Sequence, residues 1–279
     1  MGAVVYHWDD LRHSAFDNTP LRLAAIAGSD CFYYCIAEHD LKPTAVKGFQ
    51  AGKHFHFFDK PLRYLDKLVG EDPLLCADFT AVEIAVRGVP FVVMQYDIPG
   101  EQFARSQLSA ITDIGPSDTI LLDTTDAGLQ LGYVVPQPIL DEANQWFSAA
   151  KFRHVMTTLI TWCIDASGLT PDPILLVNST TAFVEIVLCA GGRMYFGNHF
   201  RVSATEDILY FVLAVLEDQE TDLQSVQVKC SGPAAAATLA KLQDYLPRCD
   251  VFAYPGTAYG GDFPAVESAD LMSILRCGS

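Results

Sequence analysis

Residues 21–50 read LRLAAIAGSDCFYYCIAEHDLKPTAVKGFQ, three apolar runs separated by a Gly-Ser-Asp turn and a second polar turn. Residues 172–203, DPILLVNSTTAFVEIVLCAGGRMYFGNHFRVS, repeat this pattern with a Ser-Thr-Thr turn and a Gly-Gly turn. Short apolar runs bounded by turn residues are typical of buried strands. A gapless alignment of the two segments places Phe32 on Phe183. Each segment therefore predicts a three-stranded antiparallel meander, and the pair indicates an internal duplication.

The remainder of the chain alternates strands and helices. VEIAVRG at 82–88 is echoed by VQVKCSG at 226–232, and both read as strands. A hairpin is predicted over 117–136, around a turn that contains glycine. Helices are predicted over 60–70, 98–111, 139–168 with a break near Ser148, 206–218, 234–246 and 268–275. This alternation predicts an α/β fold whose sheets are mixed, because each begins with an antiparallel meander.

Composition excludes several classes of protein. Half of the 279 residues are apolar and 19% are charged, which suits well-filled cores and excludes disorder as a description of the whole chain. The formal net charge of −16 repels phosphate groups, so neither nucleic acid nor an anionic membrane surface is expected as a partner. The longest strongly apolar run, 208–216, is far shorter than the ~20 residues that span a bilayer. With no secretory signal at the start, the expected location is cytoplasmic.

The eight cysteines are scattered among apolar residues. In a chain of this length without a signal sequence, an even number of cysteines is no sign of disulfides. All eight are therefore expected to be reduced thiols.

The order of elements in both halves resembles the actin-like ATPase fold, a duplicated fold of the ribonuclease H-like kind. In each half, a strand–turn–strand–turn–strand meander is followed by helix, strand, helix, strand and helix. The stretch VNSTTAFVEIVLCAGGRMYFGNHFRVSATEDILYFV, residues 177–212, is similar to the pilus-assembly protein PilM. Over about residues 20–275 the chain looks still more like a Bacteroidetes domain-of-unknown-function family that has a degenerate form of this fold.

The resemblance implies a domain organisation. Residues 1–18 would be an N-terminal arm, residues 19–150 the first actin-like subdomain and residues 151–279 the second. Each subdomain would contain one mixed sheet that opens with its meander.

The resemblance also implies where a nucleotide site would lie. In this superfamily the first turn of each meander carries an Asp-x-Gly-Thr-like motif, whose acid positions the metal and water. The gapless alignment places Ile26 and Val177 at the two acid positions, and Pro233 removes a donor from the glycine motif on the adenosine side. The small residues that would line the nucleotide cleft between the halves are Gly28, Ser29, Ser179, Thr180 and Gly232.

Two hypotheses about function follow. Phosphoryl transfer with magnesium needs carboxylates to hold the metal. Their loss at both turns favours a non-catalytic binding or scaffolding module with an unidentified protein partner and no cofactor. The alternative is an ATP-binding protein that uses ATP and Mg with weak or no hydrolysis.

Other motifs favour structural roles. Asp113-Ile114-Gly115 resembles a phosphate-binding turn, but a helix is predicted before it where that motif needs a strand. His54 and His56 alternate with aromatic residues and lack further ligands for a metal. Cys31 and Cys35 are too far apart along one strand, about 13 Å, to share a zinc ion. His154 is expected to be a structural histidine within a helix.

Overall fold

The computed structural model describes residues 3–9, 20–28, 31–50, 64–95, 100–147, 149–253 and 262–277. The chain divides into two compact units. The first comprises Met1–Thr157 with Ile274–Ser279, and the second comprises Thr158–Ser273.

The first unit contains a six-stranded mixed sheet. Its strands are β1 (Ala3–Asp9), β2 (Leu21–Gly28), β3 (Cys31–Glu38), β4 (Pro43–Gln50), β5 (Phe79–Arg87) and β9 (Lys151–His154), in the order β1-β4-β3-β2-β5-β9. The predicted meander is β2, β3 and β4, each antiparallel to the next. Every residue of β3 except Glu38 is buried, so both faces of the meander are covered by protein. Parallel pairing of β2 with β5 makes the sheet mixed.

A second, smaller sheet in the first unit was not predicted as a separate layer. Its strands are β6 (Phe91–Gln95), β7 (Asp118–Thr124) and β8 (Leu129–Pro136), in the antiparallel order β6-β8-β7. Strands β7 and β8 form the predicted hairpin, and helix α2 (Gly100–Leu108) packs on the sheet through Ala104 and Leu108. The first unit also contains α1 (Tyr64–Glu71), a 3-10 helix (Pro73–Cys76) and α3 (Gln137–Trp146).

The second unit is built on a five-stranded mixed sheet. Its strands are β10 (Ile174–Ser179), β11 (Phe183–Ala190), β12 (Arg193–Arg201), β13 (Gln227–Ser231) and β14 (Cys249–Val251), in the order β12-β11-β10-β13-β14. The helices are α4 (Val155–Ser167), which begins in the first unit, α5 (Thr205–Asp218), α6 (Ala235–Leu242) and α7 (Ala269–Cys277), which ends in the first unit. Strands β10, β11 and β12 form the second predicted meander. The two meanders therefore lie in separate sheets, as predicted.

The long helix predicted over 139–168 is wrong in its middle part. Helix α3 ends at Trp146, Ala149 takes a left-handed φ of 57°, and β9 follows before α4 begins at Val155. Strand β9 pairs in parallel with β5, and the Arg153 guanidinium contacts the Glu83 carboxylate at 2.9 Å. Pairing with a distant strand outweighs the local helical pattern here. Ser148, where the break was predicted, lies outside the described residues.

The segment expected as an N-terminal arm contributes a strand. Within residues 1–18, β1 pairs antiparallel with β4 at the edge of the six-stranded sheet. The division of the chain near residue 157 also differs from the expected border at 150/151, because β9 belongs to the sheet of the first unit.

The predicted reduced state of the cysteines agrees with the structure wherever it describes the side chain. Cys31, Cys35, Cys76, Cys163, Cys189, Cys230 and Cys249 are free thiols. The side chain of Cys277 lies outside the described part of the chain. Among the helices that the structure describes, none has the length and apolarity needed to span a bilayer.

The contact of α2 with β8 gives a prediction about packing. A Cβ atom at Gly132 would lie 2.6 Å from the Cβ of Ala104, so the Gly132→Ala variant must push α2 away from the sheet. We expect a loss of about 1–3 kcal/mol in the free energy of unfolding, measured by urea titration. Combining it with Ala104→Gly, which costs about 1 kcal/mol in a helix, should cost less than the sum of the two changes.

Gly70 in α1 provides the control, because nothing lies within 4 Å of a Cβ atom at that position. Gly70→Ala should leave stability unchanged or raise it by up to about 1 kcal/mol. Additive costs at Gly132 and Ala104 would show that the two positions do not contact each other as described.

Candidate functional site

Three of the predicted site residues come together in the second unit. Ser179 ends β10, Thr180 follows it, and Gly232 follows the end of β13. Strands β10 and β13 are parallel neighbours with Asn178 opposite Ser231, so both strands end at the same edge of the sheet. Ser179, Thr180 and Gly232 are all buried.

At Gly232 the chain that follows β13 lies in close contact with the end of β10. Its φ of +89° is in the left-handed region that favours glycine. A Cβ atom here would lie 2.6 Å from the carbonyl oxygen of Ser179 and 2.7 Å from Oδ1 of Asn178. Only glycine fits where β13 passes the end of β10.

The polar groups of these turns are bonded within the protein. The N–H of Gly232 donates to the Val266 carbonyl at 3.0 Å, and the N–H of Thr180 donates to the Phe183 carbonyl at 2.8 Å. The Ser179 hydroxyl pairs with the Thr238 hydroxyl at 2.8 Å. The Thr180 hydroxyl accepts from the Phe183 N–H at 2.9 Å. These donors of the turns after β10 and β13 therefore already have hydrogen-bond partners within the second unit.

A buried polar cluster that the sequence did not predict adjoins these turns. Nδ2 of Asn178 lies 2.8 Å from a carboxylate oxygen of Glu185 and 3.4 Å from one of Asp270. The Ser231 hydroxyl donates to Oδ1 of Asn178 at 2.9 Å. The signal in the sequence is the single acid of β11, Glu185, within an otherwise apolar strand.

Strand pairing explains why Asn178 belongs to this cluster. The last described pair of the β2–β3 hairpin is Ala27 with Phe32, and that of the β10–β11 hairpin is Ser179 with Val184. Counted back from these pairs, the position of Ile26 corresponds to Asn178. The hairpin registers thus differ by one residue from the gapless alignment, which matched Ile26 to Val177.

A shift of one residue changes the face of the sheet on which a side chain lies. Val177 belongs to the apolar core with Ile186 and Cys230. Asn178 lies on the opposite face, beside its strand partners Glu185 and Ser231. The second half thus has an amide, rather than an apolar side chain, at the position that answers Ile26.

The predicted residues of the first half lie at the end of β2. Gly28 is the last residue of that strand, and its partner in β5 is the fully buried Arg87. Ile26 is fully buried between its strand partners Tyr33 and Ala85. Ser29 lies outside the described residues. A nucleotide site that combines these residues with those of the second unit stays a prediction.

A second buried polar cluster, in the first unit, is centred on Asp123. Its carboxylate accepts hydrogen bonds from the His154 N–H at 2.6 Å, the Thr157 hydroxyl at 2.6 Å and the Tyr133 hydroxyl at 3.1 Å. Burial raises the pKa of this carboxyl, and the bonds from Thr157 and His154 oppose that effect. The cluster joins β7, β8, β9 and α4, which indicates a structural role.

His154 has the structural role that was expected, although it ends a strand and does not lie within a helix. Its Nδ1 accepts from the Met156 N–H at 3.1 Å, so Nε2 carries the proton and donates to the Val89 carbonyl at 3.3 Å. Both ring nitrogens are therefore used inside the fold.

The remaining motifs form no site among the described residues. Asp113-Ile114-Gly115 lies between the end of α2 and the start of β7, and the Gly115 N–H donates to the Asp118 carboxylate at 2.7 Å. The turn connects a helix to a strand, as expected. His54 and His56 lie outside the described part of the chain. No three described His, Cys, Asp or Glu side chains are grouped so that they could hold a metal ion.

Comparison with protein families agrees with this architecture. Residues 19–249 match the family described as "Protein of unknown function (DUF3822)". The chain belongs to this family. No curated protein matches the sequence.

Several solved structures are similar in fold to this chain. A Bacteroides thetaiotaomicron protein with an actin-like ATPase fold and unknown function is similar at a TM-score of 0.76 and 14% identity, covering 93% of this chain and 96% of that chain. A chain of the PilM–PilN type IV pilus biogenesis complex is similar at 0.59 and 11%, with coverage of 92% and 98%. The ethanolamine utilization protein EutJ from Carboxydothermus hydrogenoformans is similar at 0.50 and 8%, with coverage of 91% and 89%. These comparisons confirm the predicted actin-like fold.

The close approach at Gly232 can be tested by substitution. Gly232→Ala adds both a left-handed alanine and a clash with main-chain atoms, so we expect a loss of about 3 kcal/mol or more in the free energy of unfolding. Gly191→Ala is the matched control, because Gly191 has a φ of +56° and open space around a Cβ atom. It should cost only about 1–2 kcal/mol. Equal losses in urea titrations of the two variants would contradict the described contact with Ser179.

Proposed function

We propose that this protein is a non-catalytic actin-like binding or scaffolding module that acts in the cytoplasm and has another protein as its partner. One observation carries the proposal. The main-chain and hydroxyl groups at the turns after β10 and β13 form hydrogen bonds with one another and with neighbouring segments of the second unit.

Phosphate binding at these turns would have to break those bonds. Each bond contributes only about 1 kcal/mol, but a buried group left without its partner costs about 1–3 kcal/mol. The carbonyls of Val266 and Phe183 and the Thr238 hydroxyl would all lose donors if the turns closed around a phosphate. A nucleotide would therefore have to offset several such losses before it gained any affinity.

The fold and the charge support a protein partner. A chain similar in fold occurs in the PilM–PilN complex, which is an assembly of proteins. The net charge of −16 opposes the approach of nucleic acid. The proposal follows from these two properties together with the hydrogen-bonded turns after β10 and β13.

ATP binding with Mg is the second candidate, and the cluster around Asn178 favours it. Two buried carboxylates, those of Glu185 and Asp270, lie within 3.4 Å of the Asn178 amide, next to Ser179 and Gly232. Carboxylate oxygens are the ligands that Mg²⁺ prefers. In this hypothesis Asn178 replaces the acid of the motif, and the carboxylates of Glu185 and Asp270 supply the negative charge that would hold Mg²⁺.

Calorimetry with Mg-ATP, together with a phosphate-release assay, separates the two candidates. For the scaffolding module we expect no saturable heat and no phosphate release above that of buffer. The matched control is Glu185→Gln, which can still accept from the Asn178 amide but removes one charge. Saturable binding that Glu185→Gln abolishes would establish the nucleotide hypothesis, and turnover by the wild type would refute the proposed non-catalytic role.

A further inference from the structure

Strand β12 is the edge of the five-stranded sheet. Its inner side pairs with β11, and none of the strands that the structure describes pairs with its outer side. At nine residues, β12 is as long as any strand in the described ranges. An edge of this length is a template on which an extended segment can add a strand.

The hydrogen-bonding pattern identifies the groups that point outward. The Val202 N–H donates to the Ala182 carbonyl at 2.9 Å, in register with the β11–β12 ladder. Bonding in an antiparallel pair alternates between residues, so Gly197, His199 and Arg201 direct their N–H and C=O groups away from β11. Consistently, the His199 N–H donates to the side chain of Asn198 at 2.8 Å and not to the ladder.

Aromatic rings form a continuous row beside this edge. The ring centroids of Phe196 and Phe200, both on β12, lie 6.3 Å apart. The ring of Phe200 stacks on that of Phe211 in α5, with a centroid distance of 4.2 Å and an angle of 9° between the ring planes. Tyr210 contacts Phe211 at 5.4 Å and is 67% exposed. The first three rings are only partly buried. A strand added at the edge would lay its side chains on one face against this row.

The charge of β12 is opposite in sign to the net charge of the chain. The strand begins with Arg193, ends with Arg201 and contains no carboxylate, whereas the whole chain has a net charge of −16. Arg201 lies over the ring of Phe183, on the face opposite to Phe200. The edge therefore offers aromatic rings on one face and a cation on the other.

We propose that β12 binds an extended segment of a partner protein in which apolar and acidic residues alternate. The segment adds a strand to the sheet through the outward groups of Gly197 and Arg201, which flank His199. Its apolar side chains contact Phe196 and Phe200, and its acidic side chains face Arg201. This inference rests on the proposed function as a binding module and specifies the chemistry of the partner.

The same features disfavour two other occupants. A second copy of this chain, related by two-fold symmetry, would pair β12 antiparallel with itself and bring Arg193 to Arg201 at both ends. Like charges so placed destabilise a strand pair. Nucleic acid could stack on the aromatic row, but the net charge of −16 repels its phosphates.

The test uses a fluorescent peptide in which glutamate alternates with valine and phenylalanine. Its amides are N-methylated along one edge, so that it keeps a single edge for pairing and cannot assemble beyond a dimer. Fluorescence anisotropy with the full chain should show saturable binding. The same sequence methylated along both edges should bind at least about tenfold more weakly, because it cannot pair with β12 through its main chain. In NMR exchange measurements, bound peptide should slow the amides of Gly197 and Arg201 and leave the inward-facing amide of Asn198 unchanged.

Charge reversal provides a second variant that leaves the ladder intact. Arg201→Glu should weaken binding at least about tenfold, and a peptide with lysine in place of glutamate should then bind better to the variant than to the wild type. The matched control is Arg105→Glu on α2, where an exposed arginine pairs only weakly with Glu101 at 3.7 Å. That change should leave binding unaltered.

Several outcomes would overturn the inference. They are no binding of the singly methylated peptide, equal binding of the doubly methylated one, or tighter binding of a single-stranded oligonucleotide at the same amides. If the peptide does not bind as expected and Mg-ATP is not turned over, the β12 site is rejected and the proposed non-catalytic role stands. Turnover of Mg-ATP rejects the non-catalytic role, whatever the peptide does.

Discussion

The close approach of Gly232 to Ser179 is the constraint on which the polar centre of the second unit depends. With no Cβ atom in the way, β13 runs beside β10 to its end, and the Ala234 N–H reaches the Ser179 carbonyl at 2.9 Å. The same contact brings Ser231 to Asn178. A side chain at position 232 would separate the two strand ends, and the bonds that fill both turns would lose their geometry.

Asn178 shows how one side chain can stabilise a site that would otherwise be costly. Two carboxylates buried close together repel each other unless donors lie between them. The amide of Asn178 donates to both Glu185 and Asp270, while its oxygen accepts from Ser231. An aspartate of the same shape would add a third acid and remove the donor. The asparagine therefore stabilises the two buried carboxylates beside it.

The edge strands of the two larger sheets differ in length. In the first unit, β9 is a four-residue edge strand beside β5 and is held by the ion pair between Arg153 and Glu83. In the second unit, β12 keeps an outer side on which no described strand lies, with aromatic rings and arginines beside it. Natural sheets protect long edges or use them for recognition. The length of β12, its aromatic neighbours and its arginines are the features on which the proposed recognition rests.

The sequence by itself determined the meanders, the mixed sheets, the actin-like fold and the thiol state of the described cysteines. These properties follow from local patterns, because apolar runs and turn residues act over a few neighbouring positions. It also placed Ser179, Thr180 and Gly232 at turns, which the structure brings together in the second unit, while their role in binding a nucleotide stays a prediction. It did not predict β9, the separate sheet that β6 forms with the predicted hairpin, or the cluster of Asn178 with Glu185 and Asp270. Only tertiary structure decided these features, since pairing register and contacts between distant residues depend on how whole strands and helices pack. Val177 and Asn178 illustrate the reason: a shift of one residue between them satisfies the same local pattern, and only the pairing of β10 with its neighbours decides which of the two faces the apolar core.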